Sequence, residues 1–265
     1  MSGPPVKRRN LWTDEQLRLA FYLYCQTPFG RMHSRNPDII QLAELIGRSP
    51  SALAMKLVNF ASLDPSITGT GRSGLANASE ADKKVWREFH ENWGDLAEES
   101  SRAIAAGISV PARGNLSIGF AEPEPADFIG EVRQATVSIR IRQGFFRRSI
   151  LASYGGKCCM SGVSSDQLIV ASHIVPWAAD EKNRLNPRNG LCLSAIHDKA
   201  FDSGLITVTP QMKIEVCDDL KRRKAEGEVS AAIAGLHGKS IELPARFHPD
   251  QAFLRWHNEN RFVGR

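Results

Sequence analysis

Leu168-Ile169-Val170-Ala171-Ser172-His173-Ile174-Val175-Pro176-Trp177, followed by Asn186-Pro187-Arg188-Asn189-Gly190-Leu191-Cys192-Leu193-Ser194-Ala195-Ile196-His197 and then by Phe201-Asp202-Ser203-Gly204-Leu205, is the stretch on which the fold turns. Leu168 to Val170 reads as a strand that delivers His173, and Gly190 to Leu193 as a second short strand. Ser194 to Phe201 follows as one helix that carries His197. The pattern is a β-hairpin with a long loop, closed by a helix. His, Asn and His occur in that order within twenty-five residues, flanked by strand-like runs.

These residue types suit one kind of chemistry. Hydrolysis of a phosphodiester needs a deprotonated water in line with the leaving oxygen, and positive charge on the phosphate and on the departing 3′ oxygen. An imidazole with a pKa near 6.5 is mostly neutral at physiological pH, so His173 can accept the proton of water. His197 can hold a divalent ion. Asn189, at the turn between them, can hydrogen-bond across the loop and hold the His173 backbone in place. Each feature alone is common, since Asn-Gly is usually a tight turn and a lone His is usually a satisfied polar residue. Their ordered combination carries the reading.

With Cys158 to Gly162, His173 to Trp177, Asn189 to Leu193 and His197 to Leu205 in place, the chain resembles the HNH (ββα-metal) endonucleases. The likeness is to the subgroup with Cys-x-x-Ser/Thr-Gly, His-Ile-x-Pro-Trp, Asn-Gly-Leu-x-Leu and His-x-x-x-Phe-Asp-x-Gly-Leu motifs. It extends upstream to Arg142 through Arg147 and downstream to Leu243-Pro244 and Trp256-His257, roughly the C-terminal half. The resemblance implies His173 as general base, Asn189 as the loop-fixing residue and His197 as a metal ligand, with Mg²⁺ or Mn²⁺ as cofactor. It implies products with a 5′ phosphate and a 3′ hydroxyl. Many such enzymes place a metal-binding Asp or His just before the base, where this chain has Ser172. Asp202 is the substitute ligand we consider, and its alternative role is to end the helix before Gly204.

Outward from this centre, the expected fold is α+β, with a helical N-terminal unit (1–97), a Pro/Gly/Ala-rich linker (98–129) and the nuclease domain (130–265). Asp14 to Cys25 reads as a helix, with Thr13 and Gln16 as a capping box. A second helix should start at Pro37 and end at Gly47, and a third should follow the cap Ser49. Their layout is that of a helix-turn-helix unit, in which Arg48, Ser51, Lys56 and Asn59 would face DNA. An ordinary helical bundle that contacts a partner or its own nuclease domain fits equally well. A fourth helix is expected over Glu80 to Leu96, with Ser79 as cap. Val132 to Ile141 alternates like a half-buried strand, a helix should span Gly144 to Tyr154, and Pro249 to Asn260 should dock as a helix on the nuclease core.

Lys and Arg outnumber Asp and Glu by 34 to 29. The pI near 9.0 favours a polyanionic partner, here duplex DNA. Arg142, Arg147, Arg148 and Arg188 are the candidates to neutralise its phosphates. No apolar run is long enough to span a bilayer and no signal-like segment opens the chain, so a cytoplasmic protein without membrane contact is expected. The cysteines are odd in number, five, with no Cys-x-x-Cys pair, which argues for free thiols and against a structural zinc. The functional expectation is an endonuclease of restriction or phage defence, dimeric if it cuts both strands. The competing expectations are a DNA-binding regulator on a degenerate HNH fold and a nuclease switched on by a partner.

Overall fold

A computed structural model describes residues 11–69, 78–107 and 130–264. The N-terminal half runs α1 (Asp14–Gln26), α2 (Pro37–Leu45), α3 (Pro50–Ala61), the single turn α4 (Pro65–Thr68), α5 (Glu80–Glu91) and α6 (Trp93–Gly107). Then come α7 (Gly130–Tyr154), β1 (Ile169–His173), β2 (Gly190–Ser194), α8 (Ala195–Asp202), β3 (Ile206–Val208) and β4 (Ile214–Val216). The short helices α9 (Asp218–Arg222) and α10 (Glu228–Ala234) precede the terminal α11 (Gln251–Asn260). Strands β1 and β2 form one antiparallel pair, and β3 and β4 another. No described helix is long and apolar enough to cross a membrane.

Local chemistry accounts for the helix ends. Thr13 and Gln16 form the reciprocal capping box of α1, and Ser79 and Asp82 that of α5. Asn36 and Ser49 cap α2 and α3, each followed by a proline whose missing N–H costs nothing in a first turn. Gly47, at φ +66°, turns the chain between them. The bundle closes around Phe21, whose ring meets Phe60 edge-on at 5.0 Å and lies 4.6 Å from Phe89.

Three expectations are corrected. Val132 to Ile141 is not a strand: it belongs to the 25-residue helix α7. Val137, Ile141 and Phe145 recur at a spacing of four, so the short alternation was embedded in a helical period that the continuing sequence decided. The expected Glu80–Leu96 helix is two helices, interrupted at Asn92, whose side chain accepts the Asp95 N–H at 3.2 Å. The linker assigned to 98–129 starts too early, because residues 98–107 continue α6, while 108–129 lie outside the described residues.

The bundle and the C-terminal half share one hydrophobic cluster. Tyr22 of α1 stacks on Phe145 of α7 at 5.2 Å, and Arg142 donates to Glu98 at 2.8 Å. Buried Asp64 accepts the Ser66 and Phe247 N–H groups, at 2.8 and 3.0 Å. Arg246 is 1% exposed, donates to the Cys25 carbonyl at 2.9 Å and lies over the Tyr24 ring. On the far side, α11 docks against β3 as expected, through the Asn258 amide on Thr207 and on the Val208 carbonyl. All five cysteines are free and buried.

Candidate active site

The β1–β2 register sets His173 directly opposite Gly190. That glycine has an ordinary extended backbone, φ −142° and ψ 151°, so a turn does not require it. Space does: a Cβ there would stand 2.7 Å from Phe146 Cζ and 2.4 Å from Ile150 Cδ1. Without it, α7 packs directly on the hairpin. Phe146 then lies flat on the His173 imidazole, with ring centroids 3.8 Å apart and planes 8° from parallel. Trp177 meets the same imidazole edge-on at 5.6 Å.

His173 Nε2 lies 2.9 Å from the Arg184 carbonyl oxygen, which can only accept, so Nε2 carries the proton and donates it. The other ring nitrogen, Nδ1, keeps its lone pair, and no described residue engages it. Burial pushes the His173 pKa below its ordinary 6.5, against the opposing pulls of the Arg184 carbonyl and the Asp202 carboxylate. The result is a neutral imidazole with one basic nitrogen available.

Asn189 is 1% exposed, and its Oδ1 accepts the Val175 N–H at 2.8 Å. Its Nδ2 donates to the Val175 and Asn183 carbonyls, at 3.1 and 3.2 Å. Its backbone oxygen accepts the Ile174 N–H at 3.0 Å. Side chain and backbone of Asn189 together therefore tie the loop to the two residues that follow His173.

Helix α8 presents two different faces to this hairpin. His197 is 8% exposed and turns Nδ1 toward Ser194 Oγ at 3.0 Å and Cys158 Sγ at 3.3 Å. Burial opposes ionisation of the Cys158 thiol, but contacts with His197, Ser161 and backbone N–H groups outweigh it and bring its pKa down to about 6. One residue further round, Asp198 and Asp202 share a face at i,i+4 spacing. Burial raises the Asp198 pKa and Asp202 raises it further, while the nearby Ser172 hydroxyl lowers it. That hydroxyl is itself buried without a hydrogen bond of normal geometry. The acidic face of α8 thus lies against the Ser172–His173 end of β1.

Among the described residues no three His, Cys, Asp or Glu side chains converge into a closed metal site. Available instead are the carboxylate pair of α8 and the His197 imidazole beside it. Few protein ligands with hard oxygens suit a Mg²⁺-like ion, which retains most of its water, better than a tetrahedral zinc.

The residues expected to face DNA are placed variously. Ser51 is exposed. Lys56 is buried: its Nζ sits 2.9 Å from Asp82 Oδ1, and the Asp82 side chain is fully buried. Asn59 is buried as well, and Arg48 folds back over Trp12 and onto Gln16. Thus α5, through Asp82, and Trp12 cover the Lys56 part of the α3 face that was expected to be open, while Ser51 at its start stays exposed. Arg142 pairs with Glu98 and Asp95, and Arg147 donates to the Ile169 and Asp166 carbonyls at the start of β1. Arg148 holds Gln26, and Arg188 pairs with Asp250 at 3.1 Å while staying partly exposed.

Residues 158–209 match the family model described as HNH endonuclease. The matched segment contains β1, β2, α8 and β3, and therefore His173, Asn189 and His197 together. HNH nucleases act on DNA and generally use a divalent metal ion. No curated protein compared with the chain matches it. Inside this matched segment, sequence reasoning missed Asp198 and Arg184, and it placed Cys158 in a motif without its contact to His197. The i,i+4 pairing of Asp198 with Asp202 was a readable signal; the Arg184 carbonyl left none, because any residue could supply it.

Proposed function

We propose that the protein is a metal-dependent endonuclease that hydrolyses DNA phosphodiester bonds in restriction or phage defence. The observation that supports this best is the state of His173: neutral, held flat on Phe146, with Nε2–H fixed on a carbonyl and Nδ1 free to take a proton from water. His197 or Asp202, each from its own face of α8 and with water completing the shell, would hold Mg²⁺ or Mn²⁺, which when bound supplies positive charge to the scissile phosphate and to the departing 3′ oxygen. His173 removes the proton of the attacking water, and Asp202 favours the imidazolium that results. Asn189 keeps the loop after His173 in one conformation, so the distance between base and water is preset. Cleavage on this path leaves a 5′ phosphate and a 3′ hydroxyl.

The test is incubation of supercoiled plasmid with wild-type and His173→Ala protein in Mg²⁺, Mn²⁺ or EDTA, followed by ligation of the ends. Metal-dependent cutting that His173→Ala abolishes, with ligatable 5′-phosphate ends, supports the proposal. Equal cutting by His173→Ala overturns the role of the imidazole, and cutting that persists in EDTA overturns the metal.

A further inference from the structure

Between the bundle and α7 lies a cavity of about 420 Å³. That volume falls in the range of small-ligand sites, which favour the junctions between packed units. Leu23 and Leu151 give it an apolar floor and wall, and Arg31, Asp38, Arg148 and Asp166 line it with charge. Its rim is exposed at Arg31 and Asp166, whereas Leu23 at its base is buried. Arg31 and Arg148 lie within electrostatic reach of the half-buried Asp38, and burial raises the pKa of that carboxyl while both guanidiniums lower it. No carboxylate pairs directly with either guanidinium among the described residues. Arg148 is oriented instead by Gln26, whose Oε1 accepts from its Nε.

Two cations facing two carboxylates make a charge-balanced lining, which is poor for a simple anion. It suits the flat, neutral part of a ligand whose edge carries both donors and acceptors, any phosphate it bears staying outside the exposed rim. A nucleobase is such a part: a carboxylate accepts from an exocyclic amino group, and a guanidinium donates to ring nitrogens and carbonyls. Gly155 and Gly156, at φ +61° and +69°, complete one wall, and a Cβ at either would meet nothing within 4 Å. That wall therefore has room for a sugar beside the base.

We propose that this cavity receives a single unstacked nucleotide, its base edge read by Asp38, Arg31 and Arg148. If the nucleotide is one extruded from a duplex, the inference rests on the protein acting on DNA. Helix α7 gives the site a consequence. Arg148 and Leu151 line the cavity, while Phe146 and Ile150 of the same helix pack against His173 and Gly190. Occupancy of the cavity and alignment of the base are two ends of one rigid element.

The experiment uses the full-length protein, and Arg31→Ala and Asp38→Asn as pocket variants whose altered side chains make no direct hydrogen bond or ion pair. Binding to labelled duplexes with one central mismatch, or none, is measured by anisotropy in EDTA. In parallel, the melting temperature is followed with each of the four free mononucleotides. Extrusion costs least at a mismatch. The mismatched duplex should therefore bind about tenfold tighter, and both variants should erase that preference without changing affinity for the matched duplex. Stabilisation by a free mononucleotide that both variants abolish would also support the site and identify its source as free nucleotide. Absence of both effects, or effects that persist in both variants, overturns the inference. Plasmid cleavage by the wild type is scored separately, so loss of the nuclease reading and loss of the pocket are told apart.

Discussion

Replacing Gly190 with alanine isolates the contact that holds the His173 imidazole. The backbone at Gly190 is extended, so alanine brings no conformational strain, and every effect must come from the added methyl. That methyl would stand 2.4 Å from Ile150 Cδ1, 2.9 Å from Ile150 Cγ1 and 2.7 Å from Phe146 Cζ. Ile150 and Phe146 are 0% and 2% exposed, so neither ring nor side chain has free space to enter. Overpacking of this kind costs about 1–3 kcal/mol. Phe146 can yield only by sliding over the His173 ring that it stacks on at 3.8 Å, and a displacement approaching 1 Å at a reacting group costs about 100-fold in rate. Single-turnover plasmid cleavage should fall by about 10- to 100-fold, with a stability loss read from urea melts. Ile150→Val removes Cδ1, the atom nearest the new methyl, and alone costs about 0.5–1.5 kcal/mol. In the double variant the two losses should be less than additive, with part of the rate restored. Strict additivity, or a Gly190→Ala protein with wild-type rate and stability, would refute the packing argument.

Three further outcomes follow from buried groups. Because burial depresses His173 below 6.5, the acid limb of the cleavage rate should lie below that pH, and Phe146→Ala, by exposing the ring, should move the limb upward; an unmoved limb would contradict burial as the cause. His257 is 2% exposed and pushed down to about 4 by burial, so the unfolded chain takes up its proton first as pH falls. Stability is fully present above 6.5 and about 3 kcal/mol is lost between 6.5 and 4, a slope that should flatten in His257→Gln when urea midpoints are compared across that window. Lys56→Ala leaves Asp82 charged and buried and should cost about 3–5 kcal/mol, with no change in the salt dependence of DNA binding. A reduced salt slope with little loss of stability would instead return Lys56 to the DNA.

How much was readable differed by the range of the interaction. Helix starts after Thr13, Ser49 and Ser79 were legible because a cap and its partner lie within three residues, the start at Pro37 because a proline suits a first turn, and the hairpin because its two strands flank one loop. The helical character of 132–141 was not, since Val137, Ile139 and Ile141 alone satisfy two periods and only the longer run through Phe145 separates them. The inward turn of Lys56 was also hidden. Its partner Asp82 is 26 residues away on another helix, and nothing local distinguishes a lysine on a solvated face from one drawn to a buried carboxylate. Gly190 carried the opposite ambiguity. An Asn-Gly pair reads as a tight turn, yet the glycine is there to let α7 approach, a requirement set by residues about 40 positions upstream.

The order His, Asn, His pointed to a candidate site but left its geometry open, because the roles depend on which way each ring is turned. On α8 a rotation of 100° per residue separates His197, facing Ser194 and Cys158, from Asp198, facing Ser172. The absence of an Asp or His at position 172 therefore does not remove carboxylate from that side of His173. Helix α8 supplies it from across the groove, through Asp198 and Asp202. A serine at 172 is also what such an arrangement needs. Ser172 is 3% exposed, and a second carboxylate there would be buried against one whose pKa is already raised by burial and by Asp202. Like charges so placed disfavour ionisation of each other, and a protonated acid is a poor metal ligand. Ser172→Asp should therefore raise the pH at which the ion binds and not strengthen binding at neutral pH. Tighter Mn²⁺ binding by Ser172→Asp at neutral pH, measured by calorimetry, would show instead that the serine is a deficit and that the α8 carboxylates do not replace it.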